Sequence, residues 1–211
     1  MSRVPMLAAP LLLLAVSVIS PINDSDEPGQ RLADVFANEG RYAVAALLLL
    51  AGIMLLVPAV LGLRHLVPAG AWRPANIGAT VSAVGFMLFT AAIGALGLAP
   101  AAWATLPGAQ REGLLPAFTA MDEGKGPLAV VLVGPLLPIV GLTVLAVVLW
   151  RHTKLSRAAV VALPLGWAVF LFTPINATRA IGSLLLLAGF AAASRARTPS
   201  LHSPSAAPDP R

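Results

Sequence analysis

The chain has 211 residues, 58% hydrophobic and 11% charged, with a mean hydropathy of +0.85, whereas soluble domains average about 25% charged residues. This composition excludes a soluble globular domain, and the absence of cysteine excludes disulfides, thiol catalysis, iron–sulfur clusters and Cys-based zinc sites. A net charge of +5 would point to nucleic acid in a soluble protein, but here the basic residues are scattered at the ends of apolar runs with no aromatic-interleaved patch, so nucleic acid is not an expected partner. The expected surroundings are a lipid bilayer. At about 20 residues per crossing, the length allows about six spanning helices and leaves no room for a separate soluble domain.

Residues 6–19 form an apolar run behind Arg3, and extending it over 4–22 gives enough length for a first, uncleaved span; Pro21 speaks against a cleavage site after Ser20. The polar stretch 23–42 then gathers five of the nine acidic residues. From Pro28 it turns helical, with Asp26 placed to cap and Leu32, Val35 and Phe36 at helical spacing. A second span follows over 42–63, with Pro58 placed to bend it, and a third over about 77–98. Between 99 and 127 lies a long loop in which Leu114, Leu115, Phe118 and Met121 make an apolar stripe, the pattern of an interfacial helix. The fourth span, 128–150, contains Pro135 and Pro138, which release the carbonyls of Val131 and Gly134 from their helical partners and leave them needing another donor or a cation. A fifth span over about 155–172 and a sixth over about 177–193 complete the set. The Pro/Ser-rich residues 194–211 read as a disordered cytoplasmic tail to a six-helix transmembrane domain over 1–193.

Charge placement orients this all-α, polytopic bundle. With both termini inside the cell, nine of the fourteen basic residues and only one of the nine acids fall on the cytoplasmic side, as the positive-inside rule requires. The expected location is therefore a cell membrane, with short interfacial helices and most acids on the outer face.

Candidate chemistry gathers at that outer face. Glu39 enters the membrane beside Phe36 and Tyr42, where partial burial would make it a proton donor near neutral pH; the alternative is a solvated interfacial carboxylate. Asp26, Asp122 and Glu123 are the other candidate acids. Asp24-Ser25-Asp26-Glu27 has the spacing of a hard-cation loop or of a proton donor activated by its neighbours, and equally of a helix-capping loop. Aromatic faces at Phe36, Tyr42, Trp103 and Phe118 could hold a cationic intermediate or form an interfacial belt. Asn176 and Arg179 open the last span; Arg179 requires either a counter-ion, for which Glu39, Asp122 or Glu123 is placed, or an escape to head groups. His65, His152 and His202 are too far apart in sequence to suggest a metal centre.

Through the Asp26-Glu27-Pro28-Gly29-Gln30-Arg31-Leu32-Ala33 run, the Asn38-Glu39-Gly40-Arg41-Tyr42 entry to the second span and the Val57-Pro58-Ala59-Val60-Leu61-Gly62-Leu63 exit, the chain resembles small six-span membrane proteins common in actinobacteria. In size, helix count and acidic outer face it is also similar to the membrane-bound terpene cyclases of bacterial indole and diketopiperazine sesquiterpenoid pathways. That second resemblance implies a cofactor-independent cyclase that protonates a prenylated lipophilic substrate. A non-enzymatic binding or accessory protein and a small transporter are the alternatives. Oligomeric state is not legible in the sequence.

Overall fold

The computed structural model describes residues 3–22, 27–103, 128–173 and 175–196, together with positions 106, 113, 114, 116 and 119. Those residues form helices and no strands: α1 (Val4–Ile19), α2 (Pro28–Ala37), α3 (Glu39–Leu63), α4 (Trp72–Trp103), α5 (Leu128–His152), α6 (Arg157–Phe172) and α7 (Asn176–Ala196), with two single 3-10 turns between α3 and α4. Leaving aside the short α2, each helix packs on the next in the chain, and α7 closes on α1. The result is a ring of six. Short connections between α3 and α4, α5 and α6, and α6 and α7 make neighbours antiparallel.

Four stretches are long and apolar enough to cross a membrane: Glu39–Leu66, Ala69–Gly94, Val133–His152 and Asn176–Ala196. The apolar helices α1 and α6 are shorter, at 16 residues each. Large apolar side chains also cover the outside of the ring, with Met54, Met87, Val140 and Ile181 each more than half exposed. Mid-helix belts of this kind are unfavourable in water and natural against acyl chains. The protein is built for a membrane.

Several boundaries differ from those the sequence predicts. α3 starts three residues earlier, at Glu39, and α4 runs from Trp72 to Trp103. α7 continues to Ala196 with Ser194 buried, so the bundle does not end at residue 193, and 197–211 lie outside the described residues. α2 begins at Pro28 as expected, but Glu27 is its N-cap residue and makes no side-chain capping bond; Asp26 lies outside the described residues. The interfacial stripe around Leu115, Phe118 and Met121 also lies outside them.

Close packing in the ring depends on glycine where helix backbones touch. A Cβ on Gly78 of α4 would lie 2.8 Å from the Gly141 carbonyl oxygen of α5, and one on Gly166 of α6 would lie 2.8 Å from the Gly182 carbonyl oxygen of α7. In lipid, where apolar burial gives helices little reason to associate, such close approach supplies the attraction. Trp167 sits at the centre, fully buried: its ring meets Phe86 and Phe89 edge to face at 4.9 and 5.6 Å and stacks on Phe170 at 5.7 Å. Its indole Nε1 donates to the Pro135 carbonyl at 3.0 Å. A donor is thus supplied to the proline-broken stretch of α5, one residue beyond the Gly134 carbonyl that the sequence marks.

Candidate functional site: a cavity in the mouth of the ring

Among the described residues, the two ends of the ring carry different charge. All the acids, Glu27, Asp34 and Glu39, lie at the end where α1 finishes and α3 and α7 begin. That end also holds a cavity of about 280 Å³, at the small end of the range of about 300–1,000 Å³ typical of ligand pockets. Five of the six ring helices or their ends line it. The walls are mostly apolar, with the Tyr42, Phe89 and Phe170 side chains around an interior whose polar contributions come from Ser20, Tyr42 and Arg179.

Its shape follows from the helices that frame it. Tyr42, Ala45, Ala46 and Leu49 of α3 recur at helical spacing and form one face, on which two alanines in succession leave room that larger side chains would fill. Phe89 and Phe170 are held from behind by Trp167. The rim is fixed by polar side chains that reach for carbonyls beyond the end of α1. Asn176 Nδ2 donates to Ile22 at 2.9 Å and Ser20 at 3.3 Å, which ties the start of α7 to the segment after α1. Arg41 Nε donates to the Ile19 carbonyl at 2.6 Å and Nη2 to that of Val18 at 3.4 Å. A cation at a helix C-terminus both satisfies orphan carbonyls and opposes the helix dipole. Arg179 Nε donates to the Thr173 carbonyl at 3.1 Å, spanning the α6–α7 turn.

Of the residues singled out in the sequence, Tyr42 and Arg179 line this cavity, and Asn176 braces its rim one helical turn before Arg179. Phe36 is half-buried on α2 and is not among the lining residues. Glu39 is at the first position of α3 but exposed, so the partial burial expected for it is not found. Trp103 is the last residue of α4, and the placement of its side chain is outside the description, as are Asp26, Phe118, Asp122 and Glu123 altogether. Sequence reading missed Ser20, Phe89 and Phe170. The two phenylalanines lie in helices that are apolar all round, where periodicity does not separate an outward-facing from a cavity-facing position. The alanine pair beside Tyr42 was a usable signal.

Comparison with protein-family models, with curated proteins and with solved structures gives no match to this chain.

Proposed function

We propose that the chain crosses the membrane six times, with both termini cytoplasmic and the mouth of the ring on the outer side, and that the mouth cavity binds a small lipophilic molecule or one end of a longer one. Cationic side chains gathered at the opposite end support the orientation. A single observation carries the binding role: an apolar space lined by three aromatic rings and a guanidinium. The interior suits an isoprenoid-like body, and the Arg179 side suits a hydrogen-bond-accepting or anionic head. The test is occupancy. Ala46→Phe places a ring into the cavity from a wall of small residues, and purified protein should then lose labelling by a photoreactive isoprenoid alcohol while Val133→Phe, on the exposed side of α5, keeps it. Equal labelling of the two variants overturns the proposal.

Cyclisation of a prenylated substrate is the second reading, favoured by the Tyr42, Phe89 and Phe170 faces, which could stabilise a carbocation. It also needs an acid. Glu39 is one turn before Tyr42, and Asp122 belongs to the segment between α4 and α5. If either supplies the proton, Glu39→Gln or Asp122→Asn abolishes formation of a cyclic isomer of unchanged mass. Parental turnover in both variants removes these two carboxyls as the proton source, and absence of any cyclic isomer from the parent chain removes the cyclase reading and leaves the binding one intact.

A further inference from the structure

The end of the ring opposite the cavity has a chemistry that cavity binding does not use. It carries Arg3, Arg64, Arg73, Arg151, Lys154, Arg157 and Arg195 with two histidines, and no acidic residue among the described residues at that end. The concentration is highest at the turn joining α5 to α6, where Arg151, His152, Lys154 and Arg157 fall within seven residues and are all exposed. Trp150 lies beside them, 48% exposed, with the Arg157 guanidinium 5.1 Å from its ring centre. Trp72 repeats the arrangement on α4, 46% exposed with Arg64 6.0 Å from its ring. Half-exposed tryptophans at one end of an apolar bundle mark the head-group level. The exposed cations therefore lie at or just beyond the plane of lipid phosphates.

We infer that the α5–α6 turn, with Trp150 beside it, is a docking surface for the head groups of anionic phospholipids. Charge complementarity selects this occupant. A leaflet phosphate meets several cations with no competing carboxylate among the described residues, and Trp150 holds the Arg157 guanidinium at the height of that phosphate. The inference needs the membrane placement but not the cavity's ligand, so either can fail without the other.

The experiment uses the purified full chain in detergent micelles doped with equal amounts of phosphatidylglycerol and phosphatidylcholine, with bound lipids counted by native mass spectrometry. Preferential retention of phosphatidylglycerol is expected, at roughly fivefold per contributing cation. The triple variant Arg151→Gln, Lys154→Gln, Arg157→Gln should bring the two lipids close to parity while its helix content is unchanged. Should the triple variant fail to fold, Lys154→Gln alone should lower the preference severalfold, because Lys154 is exposed and lies between α5 and α6 rather than in either helix. Equal retention of the two lipids by the parent chain overturns the inference, and so does undiminished preference in the variants. A parent preference erased by inorganic phosphate at the lipid's own concentration overturns it as well, since that reports a free-ion site.

Discussion

Trp167 does more than any other single side chain to hold the centre of the ring. It is fully buried, touches three phenylalanines and supplies an indole N–H to the Pro135 carbonyl. Trp167→Phe keeps an aromatic ring against Phe86, Phe89 and Phe170 but removes the donor at a fully buried position and leaves the Pro135 carbonyl without it. The expected cost is about 1 kcal/mol. Thermal unfolding in detergent should show Trp167→Phe melting several degrees lower, while Trp150→Phe, half-exposed at a helix end, changes little. Equal midpoints would mean that the indole bond adds nothing to packing. Asn176 illustrates a different economy: both Nδ2 bonds go to carbonyls of the segment after α1, while its Oδ1 is buried without a partner. Replacement by alanine thus removes two bonds and one unsatisfied acceptor together.

At the scale of elements, the helix pairs α4–α5 and α6–α7 are the tight joints. Because a Cβ on Gly166 would meet both the Gly182 carbonyl oxygen and the Leu186 nitrogen at 2.8 Å, two backbones would have to separate to admit even alanine. Gly166→Ala is expected to destabilise by about 1–3 kcal/mol as overpacking. Gly70→Ala, where an added Cβ meets nothing within 4 Å, is the matched control. A melting shift for Gly70→Ala as large as that for Gly166→Ala would refute the close-packing account. The sequence made the elements legible and hid the joints. Long apolar runs, Pro28 opening α2 and Ser156 capping α6 through a bond from Ala159 N all have local signals. Which glycines face a partner helix has none, because the pairing of α6 with α7 brings Gly166 against a residue 16 positions on, across a turn that the sequence does not orient.

For the whole molecule, the physical question is how two helices of 16 residues stand beside neighbours of 21 and 25. At 1.5 Å per residue they span about 24 Å, short of a hydrocarbon core of about 30 Å. α1 gains length from Ser20 to Ile22, whose carbonyls Asn176 holds, and Arg41 covers its last orphan carbonyls. α6 is extended by Leu155 before it and Thr173 after it, and if it crosses as proposed, local thinning of the bilayer would accommodate the remaining mismatch at modest cost. The cavity was half legible: charge asymmetry pointed to the end that holds it, and two of its lining residues, Tyr42 and Arg179, were named from position alone. Phe89 and Phe170 could not be, because only closure of the ring turns them toward one space.

Cysteine labelling measures the six-crossing ring most directly, since the chain has no cysteine of its own. Single variants Asn38→Cys, Lys154→Cys and Ile175→Cys place one thiol each before α3, before α6 and after α6, all at exposed positions. With a membrane-impermeant maleimide on intact cells, the account predicts that Asn38→Cys and Ile175→Cys are labelled and that Lys154→Cys reacts only after permeabilisation. Protection of both Ile175→Cys and Lys154→Cys would show that α6 does not cross, and the cavity between α1, α3 and α6 would then have no ring to enclose it.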